Sequence, residues 1–191
     1  MNATLTAGFA DPVQDAQRCF RHVLDAMSRP GRIAAVDGVA PPEPLCVAAA
    51  AVLLTLIDHE TPLWLDPDAH AARAWIAFHC GAPSAPQPGE AMFALALGLP
   101  DLNRFRTGTH EGPETSATIV VQLPSLTGGP ALRLSGPGLK DTAIIAPIGL
   151  PADFPVRWRR NRGLFPAGID LILCAGDTLA ALPRTTLVEE A

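Results

Sequence analysis

The sequence predicts a single mixed α/β domain, residues 1–191, with a mixed sheet. Three observations predict it: helical apolar spacing alternates with short apolar strands, no internal repeat is present, and no long linker divides the chain. A chain of 191 residues is also long enough to close a sizeable apolar core by itself.

The first predicted element is a helix that begins at Pro12, is capped by Asp11 and runs to about Met27. Its apolar residues recur at steps of three and four, which predicts one buried face. The residues of this face are Val13, Ala16, Phe20, Val23, Leu24 and Met27. The turn at 28–31 ends the helix, and a short strand at 32–36 follows.

Two further helices complete the first half of the chain. Residues 45–57 are apolar on all sides, which predicts a helix that is buried almost completely. Residues 63–65 form a short buried strand, and Asp66 with Pro67 begins a third helix that extends to about His79. The run 45–57 is shorter than the roughly 20 residues of a membrane span, so no transmembrane segment is predicted.

From residue 90 the pattern changes from helical to extended. Residues 118–123 are β-branched and apolar, residues 131–135 alternate between apolar and polar, and the turn-rich segment between them predicts that they pair as a hairpin. The other predicted elements are strands at 92–97 and 142–148, a helical turn at 99–105, a helix at 153–162 and a closing hairpin of 169–174 with 179–182.

The composition is unusually apolar for a soluble chain. Hydrophobic residues make up 48% and charged residues 17%, against about 25% charged in an average domain. This composition excludes a disordered protein and predicts that some apolar surface meets another chain. The first residues have no cationic start and no apolar stretch, so no signal peptide is predicted and the expected compartment is the cytoplasm.

Charge and cysteine spacing exclude further classes. The net charge of −5 has the wrong sign for a protein that binds nucleic acid through phosphate attraction. The four cysteines are far apart without a CxxC pair, which predicts free core thiols. The Cys and His pairs have no third and fourth ligand at a suitable spacing, so no metal site is predicted.

Four arginines in six residues form the first candidate site. They are Arg157, Arg159, Arg160 and Arg162. Grouped guanidinium groups beside an indole suit a triphosphate or a phosphonate, because they form charge-assisted bidentate bonds. The same pattern also suits a subunit-contact face, and both interpretations stay open.

The second candidate is the glycine-rich turn at 135–140, which ends in the only lysine, Lys140. Pro137 removes one backbone amide and the Walker spacing is absent, so the pattern favours a plain turn over a phosphate loop. A pyridoxal phosphate enzyme would have to use Lys140 for its Schiff base.

The third candidate is a polar loop in which His110 stands beside two carboxylates, those of Glu111 and Glu114. Gly112 and Pro113 break any helix here, so the HExxH geometry of zinc hydrolases is excluded. The loop suits a general base or a substrate contact as well as a purely structural connection. No nucleophile elbow, Walker sequence or Rossmann fingerprint is present in the chain.

Several stretches in the same order along the chain resemble the PhnH subunit family of the bacterial carbon-phosphorus lyase system. They are GFADPVQDAQ at 8–17 with Phe20 and Arg21, MSRPG at 27–31, LIDHETPLWL at 56–65, FHCGAP at 78–83, GTHEGPE at 108–114 with SAT at 116–118, LSGPG at 134–138, FPAGID at 165–170 and PRTT at 183–186. The resemblance spans nearly the whole chain and is far more specific than any short motif.

The resemblance implies a cytoplasmic subunit with a three-layer α/β fold similar to that of pyridoxal-phosphate-dependent transferases, without the cofactor. It implies a homodimer in isolation and a core complex with PhnG-, PhnI- and PhnJ-like subunits. Together with an ATP-binding-cassette-like partner, the G, H and I subunits of that family support displacement of adenine from ATP by an alkylphosphonate, which gives an α-D-ribose 1-alkylphosphonate 5-triphosphate. The family pattern provides no catalytic residues, so the expected role is that of an accessory subunit without a complete active site. The alternative from the residues alone is a stand-alone enzyme that binds a nucleotide or phosphonate at 157–162.

Overall fold

The computed structural model describes residues 5–191. The predicted mixed α/β architecture is confirmed: nine strands form two sheets among the described residues, and four α-helices pack around them. The helices are α1 Pro12–Ser28, α2 Val47–Leu56, α3 Arg73–Cys80 and α4 Phe154–Arg162. The strands are β1 Ala34–Ala35, β2 Leu63–Leu65, β3 Phe93–Ala96, β4 Thr118–Gln122, β5 Leu132–Ser135, β6 Ala143–Ile145, β7 Asp170–Ala175, β8 Thr178–Leu182 and β9 Leu187–Glu190.

The larger sheet is mixed and has six strands in the order β1-β8-β7-β4-β3-β2. Strands β2, β3, β4 and β7 run parallel, whereas β8 and β1 are antiparallel to their neighbours. The smaller sheet is antiparallel and has the order β6-β5-β9. The amino ends of β4 and β7 lie beside the carboxyl end of β8. The loops that precede β4 and β7 and the loop that follows β8 therefore meet at the same edge of the sheet, where these strands begin or end.

Side chains alternate along the six strands and place a core on each face of the larger sheet. On β4, Val120 belongs to one core, whereas Ile119 and Val121 belong to the other. Helices α1, α2 and α3 cover the first face, here called the α2 face. Helix α4 and the smaller sheet cover the second, here called the α4 face. The sheet is therefore the middle of three layers, in which apolar burial on both faces stabilises the fold.

Helix α2 confirms the prediction of a helix buried almost completely. Six consecutive residues, from Ala48 to Leu53, have no exposed surface. Four of them are alanines, whose small side chains let the neighbouring backbones approach closely. None of the described helices combines the length and apolar character required to cross a membrane.

The predicted hairpin of 118–123 with 131–135 is wrong. Strand β4 pairs with β3 and β7 in the larger sheet, whereas β5 pairs with β6 and β9 in the smaller one. The reason is that β4 is apolar on both faces and fills a central parallel position, while Arg133 on β5 requires a sheet with one exposed face.

The predicted buried face of α1 is also wrong in part. Val13 and Leu24 are 74% and 57% exposed, whereas Asp15 and Cys19 are buried. The Asp15 carboxylate accepts the N–H of Asp11 at 2.9 Å and pairs with Arg18, so this buried carboxylate finds its partners within its own helix and cap. The apolar residues of the other side are left at the surface.

Candidate functional site

The side chain of Arg184 joins three loops at the edge of the larger sheet. Its guanidinium group pairs with Asp170 at the start of β7 and donates to the Ser116 hydroxyl just before β4. It also donates to the carbonyl oxygens of Pro113 at 2.9 Å and Pro166 at 3.3 Å. The Arg184 and Asp170 side chains are each only 14% exposed. Because charge-assisted bonds strengthen in a poorly hydrated environment, this cluster fixes the three loops relative to each other.

Sequence reasoning did not single out Arg184 as a site residue. Arg184, Asp170 and Ser116 belong to three of the stretches that resemble the PhnH family, PRTT, FPAGID and SAT. The signal that points to them is charge placement, since Asp170 and Arg184 flank the apolar hairpin of β7 and β8 on both sides. An acid and a base at the two ends of one hairpin meet when its strands pair.

The loop with His110, Glu111 and Glu114 lies next to this cluster and is closed by its own hydrogen bonds. The amide of Gly112 donates to the Thr109 hydroxyl at 2.9 Å. The three predicted side chains are exposed. Within residues 5–191, no three His, Cys, Asp or Glu side chains are grouped so that they could hold a metal ion.

Helix α4 is anchored by two buried polar side chains. Asn161 is 5% exposed; its amide donates to the Ile169 carbonyl and its oxygen accepts the Ile169 N–H, both at 2.8 Å. The Trp158 indole donates to the Thr186 carbonyl at 2.9 Å. A side chain at Gly168 would meet Asn161 and Arg184 at 3.3 and 3.4 Å, so the anchor and the Arg184 cluster are neighbours. The helix therefore presents its arginines from a fixed position.

The four arginines of α4 are divided between different surroundings. Arg157 and Arg160 line a cavity of about 140 Å³. Arg162 lines a separate cavity of about 270 Å³ with Pro137, Phe165 and Thr185. The arginine Arg159 is exposed and lines neither of these cavities. Three of the four lie in the last turn, where positive charge also stabilises the helix through its dipole.

The glycine-rich turn is built for close packing. Gly138 has a φ of +86°, and a Cβ atom there would lie 2.0 Å from the Ser28 carbonyl oxygen. Gly136 has a φ of +121°, and a Cβ atom there would lie 3.1 Å from the Thr185 carbonyl oxygen. These two glycines allow the turn to touch the end of α1 and the segment after β8. Lys140, at the end of the turn, is exposed to solvent.

All four cysteines are free, as the sequence predicts. Burial raises the pKa of the Cys80 thiol from 9.0 to about 12 and that of Cys174 well above 9.0, because a buried thiolate loses its hydration. Burial likewise raises the thiol pKa of Cys19 and Cys46. The thiols are therefore protonated at neutral pH, which makes them poor nucleophiles.

Comparison with known proteins gives matches over nearly the whole chain. The family described as "Bacterial phosphonate metabolism protein (PhnH)" matches residues 7–189. The chain is 45% identical over 190 residues to the "Alpha-D-ribose 1-methylphosphonate 5-triphosphate synthase subunit PhnH" of Rhizobium meliloti (strain 1021), covering 96% of this chain and 95% of that protein.

A second relative has a related name. The chain is 36% identical over 179 residues to the "Putative C-P lyase subunit protein HtxG" of Stutzerimonas stutzeri, covering 89% of this chain and 84% of that protein. The resemblance predicted from the sequence stretches is thereby confirmed, and the chain belongs to the PhnH family of bacterial phosphonate metabolism proteins.

Proposed function

We propose that this chain is an accessory subunit of an α-D-ribose 1-methylphosphonate 5-triphosphate synthase within a carbon-phosphorus lyase complex. The observation that carries the proposal is the 45% identity to a named subunit of that synthase over 96% of this chain. In the proposed reaction an alkylphosphonate is transferred to the ribose of ATP and adenine is released. The chain would act with PhnG-, PhnI- and PhnJ-like subunits in the cytoplasm and form a homodimer in their absence.

The surface of the chain supports a role inside an assembly. Val13, Phe20 and Leu24 lie on one side of α1 and are 74%, 48% and 57% exposed. Phe78 on α3 and Phe165 after α4 are also mainly exposed. Large apolar side chains in such positions are typical of surfaces that meet another chain. An accessory role also agrees with the protonated thiols and with the structural use of Arg184, which leaves these groups without a chemical task.

Coexpression tests the proposal. The tagged chain and its PhnG-, PhnI- and PhnJ-like partners are purified together and run on size exclusion at micromolar concentration. We expect all four chains in one peak, and we expect adenine release from ATP and methylphosphonate to depend on this chain when the ATP-binding-cassette-like partner is added. Elution of the chain apart from the others would contradict the proposal.

A stand-alone enzyme that binds a nucleotide or a phosphonate is the second candidate, and the cavity of Arg157 and Arg160 is the observation that favours it. It requires the isolated chain to release adenine from ATP in the presence of methylphosphonate. The separation of Arg162 from the other two arginines weighs against one triphosphate site that uses the whole cluster. Adenine release by the isolated chain would decide for this candidate.

A further inference from the structure

The small cavity beside α4 has the properties of an anion site. It lies between the second half of α4 and the segment that follows β3, and it is lined by Arg157, Arg160 and Leu164 from the helix side. Asp101, Asn103 and Thr107 line the other side. Two guanidinium groups face one carboxylate in the lining itself, and a second carboxylate, that of Asp153, pairs with Arg157 next to it.

The charged side chains that line the cavity differ in how many hydrogen bonds and ion pairs they already form within the protein. Arg157 donates through Nε to Asp153 at 2.9 Å, which leaves its two terminal nitrogens for another partner. The guanidinium group of Arg160 has no hydrogen bond or ion pair with any of the residues 5–191 that the structure describes. Asp101 accepts the backbone and side-chain amides of Asn103 at Oδ1, at 3.1 and 2.9 Å, which leaves its Oδ2 without a hydrogen bond within residues 5–191. The free donors of the two guanidinium groups still outnumber this acceptor.

The two arginines are three positions apart on one helix, a spacing that places their side chains next to each other. Asn161, which also lines the cavity, holds this part of α4 to Ile169 with two hydrogen bonds of 2.8 Å. The helix backbone that carries both arginines is therefore fixed before any ligand arrives, whereas the exposed Arg160 side chain becomes ordered on binding. A fixed backbone lowers the ordering cost of binding an oxyanion.

The volume limits the ligand. The cavity of about 140 Å³ is smaller than the ~300–1,000 Å³ typical of sites for drug-sized molecules. A whole nucleotide cannot be enclosed in this volume, whereas one tetrahedral oxyanion group can.

We propose that Arg157 and Arg160 bind a single phosphate or phosphonate group in this cavity. The geometry alone supports a small oxyanion; the choice of a phosphorus oxyanion over a carboxylate rests on the proposed function. Arg160 supplies the free guanidinium group, and Arg157 adds its terminal nitrogens while Asp153 holds its Nε. The site would hold either a phosphonate substrate or one end of a triphosphate.

The test is a phosphorus NMR titration of the isolated full-length chain with methylphosphonate, inorganic phosphate and tripolyphosphate. We expect saturable line broadening with the wild-type chain. Arg160→Gln should weaken binding about tenfold or more, since it removes charge-assisted hydrogen bonds, and Arg157→Gln should weaken it similarly. Arg159→Gln is the matched control, because it removes the same charge from the next position of the same helix without changing the cavity lining.

The outcomes separate the possibilities. Equal affinity for methylphosphonate and inorganic phosphate supports a site for one tetrahedral group. A much higher affinity for tripolyphosphate, with the same dependence on Arg160, assigns the site to the end of a triphosphate. An equal loss with Arg159→Gln, or no broadening with the wild-type chain, overturns the proposal. Circular dichroism of each variant confirms the fold. A chain that enters the complex but binds no oxyanion refutes this site alone, whereas failure to enter the complex refutes the proposed function.

Discussion

On the α2 face of the central sheet, the core is closed by four consecutive buried alanines of α2 and by apolar neighbours. The α4 face and its adjoining edge also have an apolar core, but buried polar groups fix their positions: Asn161 holds Ile169, Trp158 holds Thr186, and Arg184 holds Asp170. Apolar contacts tolerate small shifts, whereas these hydrogen bonds require defined geometry. The α2 face has comparable bonds, from Gln122 to Cys46 and Pro44 and from Trp75 to Thr6, so the distinguishing feature of the α4 side is the ion pair of Arg184 with Asp170, which keeps three loops in place.

The comparison is tested most strongly at Arg184. We expect Arg184→Met to lower the free energy of unfolding by about 3–5 kcal/mol, because it leaves the Asp170 carboxylate largely buried and unpaired. Urea denaturation measures the change. The matched control is Arg133→Met, whose guanidinium group is exposed and has one long bond of 3.4 Å to the Glu190 carbonyl oxygen. This control should cost less than about 1 kcal/mol.

A second replacement separates the loss of a pair from a loss of packing. In the double variant Arg184→Met with Asp170→Leu, no unpaired charge remains, and much of the stability should return. If the double variant is as unstable as Arg184→Met alone, the cost arises from packing, and the two faces are held by the same kind of force.

On the α2 face, stability should be most sensitive to a larger side chain in the buried helix α2. We expect Ala50→Leu to lower the free energy of unfolding by about 2 kcal/mol, since Ala50 has no exposed surface and its neighbours fill the space around it. Ala74→Leu on the exposed side of α3 is the control and should change stability by less than about 0.5 kcal/mol. Thermal or urea unfolding measures both variants, and a fully stable Ala50→Leu protein would show that the α2 face is loosely packed.

A further expected effect is a pH dependence of stability from the thiol of Cys80 on the α2 face, confined to alkaline pH. Its folded-state pKa is raised to about 12 from 9.0 by burial. Between these two values the unfolded chain releases the proton and the folded chain keeps it, so stability should fall as the pH rises through this window. Urea denaturation across this range measures the slope, which Cys80→Ala should reduce. An unchanged slope in this variant would exclude Cys80 as the source.

Native alkylation provides an independent check of the thiols. At pH 8 iodoacetamide should modify Cys80 slowly in the folded chain and rapidly in urea, because only the thiolate reacts. Equal rates under both conditions would show that burial does not protect this face.

The helices and the strand order illustrate what the sequence can predict. The cap of α1 and the apolar character of α2 are local, and both helices form within two residues of the predicted bounds. The pairing of β5 is not local, because its partner β9 lies beyond α4 and the β7–β8 hairpin. The apolar spacing of α1 predicts a buried side, but the side that the structure buries includes the carboxylate of Asp15 and leaves Val13 and Leu24 exposed.

The candidate site shows the same limit. Four arginines close together in the sequence are visible at once, but only the fold shows that Arg157 and Arg160 share a cavity that Arg162 does not line. Arg184 is a single arginine in the sequence, and its importance arises from loops that are distant along the chain. The density of arginines at 157–162 therefore predicts a charged surface from the sequence alone. The role of Arg184, which has the most hydrogen-bond partners of these arginines, is visible only in the tertiary structure.

The pairing of Leu132 with Glu190 places a constraint on how the chain folds as it is made. The hairpin of β5 and β6 can form early, but its other edge stays open until β9 has left the ribosome. The pairing of Ala34 with Leu179 delays the edge strand β1 in the same way. Both sheets are therefore completed only after β8 and β9 have been made, and a chain interrupted before them would expose unpaired strand edges, which are prone to aggregation.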